Sequence, residues 1–211
     1  MQRFTDKFDL MGAKGRGGTL VDADLSFTHL VGLDLSGMNL SGINLSGACL
    51  VDVNLDGCNI NDLHAVETQF SRVTFRHAQL AHALFQRVEM ERSTFEQANA
   101  TAASFMLSTL SANHFHGTLL VRAQFLQTNL DHADFTGANL SHASLRETSL
   151  EGTRFVSCDL RGVDFRKATF HHAHYRHVCV EDALYYGKPP WGGQAVDGRD
   201  WVRDLPMFDG E

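Results

Sequence analysis

Large apolar residues recur at every fifth position of this chain. Counted by fives from Leu20 to Tyr185, 34 positions hold 16 Leu and 11 Phe, and the remainder are Ile60, Ala65, Met90, Ala100, Tyr175, Val180 and Tyr185. No insertion shifts the frame. Two residues before each centre the side chain is usually small, as at Ala23, Ala48, Ala78, Ala98, Ala103 and Ala123, and the residue between them is mostly polar, as at Asn39, Asn59, Gln79, Asn99 and Asn139. A period of five fits neither the helical 3.6 nor the strand period of 2, but a short extended piece followed by a corner meets it. In the extended piece residues i and i−2 point to one side. Glycines two after a centre, such as Gly37, Gly57 and Gly137, suit the corner. Repetition of this unit predicts a solenoid filled by the large and small inward residues.

The centres also predict the number of sides. From 75 to 135 phenylalanine alternates with other residues: Phe75, Phe85, Phe95, Phe105, Phe115, Phe125 and Phe135 are separated by Leu80, Met90, Ala100, Leu110, Leu120 and Leu130. An even number of pentapeptides per turn stacks like on like, and four sides of 20 residues in all is the compact choice. In FEQANATAASF, residues 95–105, the centre Ala100 is undersized, which predicts a local narrowing of the coil.

The segments ANLSHASLRETSL, LSGMNLSGINLSG and ADFTGANLSHASL resemble the pentapeptide-repeat family, whose motif is A(D/N)LXX. The resemblance covers residues 18–187 and implies an all-β fold, a right-handed quadrilateral β-helix. About eight and a half coils at a strand spacing of about 4.8 Å give a rod roughly 40 Å long. Residues 1–17 are expected to form an N-terminal cap or connector with Phe4, Phe8, Leu10 and Met11, and residues 188–211 a capping tail with Trp191, Trp201, Leu205 and Phe208.

Composition removes several functions. The net charge of −7 argues against direct nucleic-acid binding, which rests on clustered Lys and Arg. No run reaches the roughly 18 apolar residues of a membrane span, and the start, MQRFTDKFDLMGAKGRGG, lacks the apolar stretch of a secretory signal. The expected location is cytoplasmic, without membrane association. Cys49, Cys58, Cys158 and Cys179 show no CxxC spacing and are expected as reduced thiols, with Cys58 and Cys158 inside the core. GAKGRGGT, residues 12–19, has Gly18 where a phosphate-binding loop needs lysine, and reads as a flexible connector. His171, His172, His174 and His177 could supply nitrogen ligands, but the repeat spreads them around a corner, pointing outward. No catalytic residue, metal or cofactor is expected, and the chain does not read as an enzyme.

Two surfaces remain. Between residues 17 and 71 there are seven acids (Asp22, Asp24, Asp34, Asp52, Asp56, Asp62, Glu67) and no Lys or Arg. The other surface is apolar: Val66, Met106 and Leu126 share one outward column, Leu107 adjoins it, and Leu84, Leu119 and Val121 lie on the same or the adjoining side. The leading expectation is a non-catalytic scaffold, monomeric or weakly dimeric, that binds a protein along the rod. The family resemblance implies an alternative, a DNA-mimic modulator of a type II topoisomerase (DNA gyrase) that protects it from quinolones or toxins. Relatives of that kind often carry an apolar C-terminal helix or protruding loops. The repeat here has no loop, and a tail broken by Gly192, Gly193, Gly198 and Pro206 does not read as that helix.

Overall fold

Each pentapeptide spends its backbone N–H groups in a fixed way. Around Leu120, for example, the N–H of Leu119 donates back one coil to Ala98 (2.9 Å), while those of Leu120 and Arg122 donate forward to Asn139 (2.7 Å) and Ser141 (3.0 Å). The N–H of Ala123 closes the corner on the carbonyl of Leu120 (3.0 Å). Two residues beyond each centre the backbone turns left-handed, and this position is usually not glycine: Asp62, Arg92, Ala102, Leu107 and Arg122 all have φ between 49° and 60°. Glycine was expected there because the conformation costs other residues about 1–2 kcal/mol. The inter-coil hydrogen bond made at that corner offsets the strain, and charged, amide, small and β-unbranched side chains stand there beside glycine, but none of the described residues there is Val, Ile or Thr.

The computed structural model describes residues 19–192. Within them the chain is a four-sided all-β solenoid in which residue i pairs in parallel with residue i+20. On one side the rungs lengthen into strands β1 (His29–Val31), β2 (Cys49–Val51), β3 (Gln69–Ser71) and β4 (Glu89–Glu91), which pair in that order. On the next side β5 (Arg154–Val156) pairs with β6 (His174–Arg176). Seven coil-to-coil steps are paired on all four sides, because the ladders through Thr169 and His174 end there while those through Cys179 and Leu184 gain one more step. Seven steps join eight levels on the two shorter ladders, and eight steps join nine on the two longer ones.

The faces are named here by their inward centres: face 1 carries Leu20 to Val180, face 2 Leu25 to Tyr185, face 3 Leu30 to Phe170 and face 4 Leu35 to Tyr175. Like does stack on like. On face 4 the rings of Phe75, Phe95, Phe115 and Phe135 lie parallel at 4.7–4.9 Å, and the stack continues through Phe155 to Tyr175. On face 2 Phe85, Phe105 and Phe125 stack at 4.9–5.0 Å. The two columns meet edge to face, as at Phe95 and Phe105 (5.7 Å), the geometry that ring quadrupoles favour. Ala98, Ala100 and Ala103 are fully buried among them. At the far end Trp191 is buried and lies 5.0 Å, centroid to centroid, from Tyr185. Phe4, Phe8, Leu10, Met11, Trp201, Leu205 and Phe208, and the connector up to Gly18, lie outside the described residues. Among those described no helix is long and apolar enough to cross a membrane.

Candidate functional site

An outward position on a solenoid is fixed by two numbers, its coil and its place in the pentapeptide. Met106 and Leu126 follow centres of face 2 by one residue, so they occupy successive levels of one column. Leu107 takes the next column, toward face 3, and its N–H donates to the carbonyl of Leu126 at 3.0 Å. Leu84 lies in the third column, where it pairs with Ser104, which pairs with Gln124. On this face the outward positions of these two middle coils are Ser104, Met106, Leu107, Gln124, Leu126 and Gln127, without a charge among them.

Charge resumes on either side. Above the patch Arg87 pairs with Glu67 (3.3 Å), and below it Lys167 pairs with Glu147 (2.9 Å), whose other oxygen accepts the Gln127 amide N–H at 2.9 Å. Hydrogen bonds from the Lys167 ammonium first and then from Gln127 hold the Glu147 carboxyl below its ordinary pKa, and the charges of Lys167 and Arg146 add to them. Arg146 sits at the lower rim with its Nε 3.9 Å from Asp164, which is gripped by Arg166 at 2.9 and 2.7 Å. Between Met106 and this rim lies a shallow groove of about 530 Å³, lined also by Gln124, Leu126, Gln127, Ser144, Arg146 and Glu147.

Of the expected apolar residues, Leu84, Met106, Leu107 and Leu126 share face 2, and Val66 lies two coils above Met106. Val121 turns the corner from face 1, where its carbonyl accepts the N–H of Ala102 at 2.8 Å. Leu119 is set apart on face 1, between Asn99 and Asn139 on its ladder. Leu107 is exposed, and Leu84, Met106, Leu119, Val121 and Leu126 are half-buried. Sequence reasoning missed Phe27, Leu184 and Tyr186, which are also exposed and also on face 2. Counting every outward apolar residue in steps of twenty finds them.

The acids do not converge. Asp22 and Asp62 mark the corner of face 1, Asp24 and Glu67 lie on face 2, Asp52 on face 3, and Asp34 and Asp56 on face 4. Arg72 grips Asp52 through two hydrogen bonds (2.6 and 2.8 Å), and its guanidinium keeps that carboxyl below the usual range. Asp56 accepts the backbone N–H of Arg76 at 2.9 Å. The four histidines 171, 172, 174 and 177 are exposed, and His172 lies 3.6 Å from Glu151. Among the described residues no group of three or more His, Cys, Asp and Glu is arranged to hold a metal. Cys58 and Cys158 are buried, and their thiols donate to the carbonyls of Leu35 and Phe135 at 3.0 and 2.9 Å. A second groove, of about 730 Å³, lies at the far end between Arg154, His174, Arg176 and Trp191, at the limit of the described residues.

Two family models match the chain: one for a pentapeptide repeat region over residues 78–155, and one for pentapeptide repeats, in eight copies, over 19–57 and 143–174. No curated protein matches it. Solved structures similar to it include HetL, a pentapeptide repeat protein involved in heterocyst differentiation regulation from the cyanobacterium Nostoc. That pair is 19% identical over 86% of this chain and 95% of that one, with a TM-score of 0.36. QnrB1, a plasmid-mediated fluoroquinolone resistance protein, is 18% identical over 79% of this chain and 88% of its own, with a TM-score of 0.46. A thylakoid-lumen pentapeptide repeat protein from Arabidopsis thaliana is 17% identical over 64% of this chain and 71% of its own, at a TM-score of 0.21.

Proposed function

This chain is a pentapeptide-repeat protein, and from that premise we propose that it is a non-catalytic scaffold that binds a protein through the outer surface of face 2. One observation carries the reading: two successive coils of that face present no charge, while ion pairs close the patch above and below. Four of the six large apolar residues most open to solvent among those described (Phe27, Leu107, Leu184, Tyr186) lie on the same face. Phe27 lies at one end of that face and Leu184 and Tyr186 at the other, so singly they mean little, but the contiguous uncharged set of Met106, Leu107 and Leu126 between them marks a surface that is covered in use. The packed interior, filled with stacked rings, leaves no room for a substrate.

A surface that imitates DNA needs its acids on one side. Here the seven acids of the first coils are divided among four faces, and arginines neutralise Asp52 and Glu67. The test is affinity capture with the wild-type chain and with Met106→Asp plus Leu126→Asp. Both positions are outward, so the double variant is expected to keep its melting temperature and lose its bound protein. Unchanged capture would remove face 2 from consideration, and loss of gyrase inhibition or protection only when the acids are replaced would favour the DNA-mimic alternative.

A further inference from the structure

We propose that face 2 is covered by the same face of a second copy of this chain, the two rods lying side by side and antiparallel. This rests on the interface reading above and names its partner. A two-fold axis perpendicular to the rods, placed between the levels of Met106 and Leu126, reverses the order of the coils and keeps every column opposite itself. Such a contact is isologous, so each pairing across the axis occurs twice.

The residues that meet are then dictated by the columns. At the axis Met106 faces Leu126 of the second copy and Leu107 faces its Gln127, so the apolar centre is continuous. One coil out, Arg87 faces Glu147 of the second copy and Gln86 faces its Arg146. Two coils out, Glu67 faces Lys167 of the second copy and His64 faces its Asp164. Both charged pairings in the corner column join opposite formal charges. Val66 meets Arg166, whose head stays on Asp164 of its own chain (2.7 Å) while its aliphatic stem is offered to the valine. The ion pairs Arg87 with Glu67 and Lys167 with Glu147 are half-solvated or better on their cationic side, and they close on each other as alternating quartets.

The opposite arrangement fails on the same residues. With the rods parallel, the column one after the centre meets itself at equal height. Arg146 would face Arg146 and Arg166 would face Arg166, while Arg87 would lie against Leu84. Like charges in register suppress that mode, so the charges select the antiparallel one. The contact runs from the level of Glu67 to that of Lys167, five coil steps or about 24 Å. That places it at the small end of specific interfaces, and the dimer is expected to dissociate on dilution.

The experiment is sedimentation velocity on the full chain over a concentration range, with Arg87→Glu, Glu147→Arg, and an equimolar mixture of the two. The wild type is expected to show a monomer–dimer equilibrium, and each single variant to weaken it by roughly tenfold or more, since each puts like charges across the axis twice. The mixture is expected to dimerise again, because one variant's two acids then meet the other's two bases. This recovery also shows that both variants are folded. A wild type that stays monomeric at every concentration, variants that dimerise like the wild type, or a mixture that does not recover would each overturn the dimer. A monomeric wild type whose captured protein is lost on Met106→Asp with Leu126→Asp would leave the interface reading standing. A monomer with unchanged capture removes both.

Discussion

Thr118 shows what the small inward positions are for. Its side chain is fully buried, and its Oγ1 donates to the carbonyl of Phe95 at 2.7 Å, a carbonyl that already accepts the corner N–H of Ala98 at 2.9 Å. Thr68, Ser108, Thr128 and Thr153 repeat the arrangement, each reaching the centre one coil back. The same geometry accounts for Cys58 and Cys158, and burial pushes the Cys158 thiol well above its ordinary pKa, so it remains a donor. Replacing Thr118 with Val keeps the volume and removes the bond, and is expected to cost about 1 kcal/mol. Urea unfolding measures it, and a midpoint equal to the wild type's would show that the second lone pair of the Phe95 carbonyl needs no donor. The sequence made the smallness of these positions plain through their regular spacing. Their hydrogen bonding was not legible, because it depends on a carbonyl 23 residues away that only the coil brings near.

At the scale of one pentapeptide, the polar residue before each centre shapes the next corner. Asp24 accepts the N–H of Ser26 (3.0 Å), Asp134 that of Thr136 (2.9 Å) and Asp164 that of Arg166 (3.1 Å), while Asn44 and Asn139 do the same for Ser46 and Ser141. The preference for Asp or Asn there is thus a turn preference. Among the acids of the first coils it accounts for Asp24 and Asp34, whereas Asp22, Asp52, Asp62 and Glu67 stand at the left-handed corner residue itself, and corners occur on all sides. The side-chain hydrogen bond from Arg166 holds the Asp164 carboxyl below its ordinary value, against burial, with the backbone N–H of Arg166 adding to it. A carboxyl with a lowered folded pKa stabilises fully above its unfolded value, about 3.9, and loses that contribution as the pH falls through the lower folded value. The urea midpoint is therefore expected to hold from neutrality to about pH 4 and to fall below it. Asp164→Asn keeps the turn-forming carbonyl oxygen but cannot titrate, so its midpoint should fall less on acidification. Equal acid slopes for the two chains would show that Asp164 has the same pKa folded and unfolded.

Over the whole molecule the fold and the face separate, and a deletion tells them apart. The fold follows from the five-residue frame and the alternation of phenylalanines, so both the solenoid and its four sides were readable. The face was readable only in part: Met106, Leu107 and Leu126 stood out, whereas Leu119 was grouped with them although face 1 isolates it, and the facing charges appear only once the columns are in place. Deleting residues 101–120 removes one full coil. Phe125 then stacks under Phe85 and Phe135 under Phe95, so both ring columns close up in kind, as a nearest-neighbour solenoid permits. Deleting only 101–105 instead sets Leu110 under Phe85 and Leu120 under Phe95. Both ring columns are then left broken at the junction that the full-coil deletion rejoins, and each rejoined contact contributes about 0.5–1.5 kcal/mol beyond burial. The shorter deletion is therefore expected to melt at the lower temperature, although it removes a quarter as much chain, and circular dichroism on heating decides the order. The full-coil deletion also takes away Met106 and Leu107 while leaving a rod. It is expected to remain cooperative in unfolding and to lose binding through face 2, and a shortened rod that still binds there would place the partner's contact on the remaining coils.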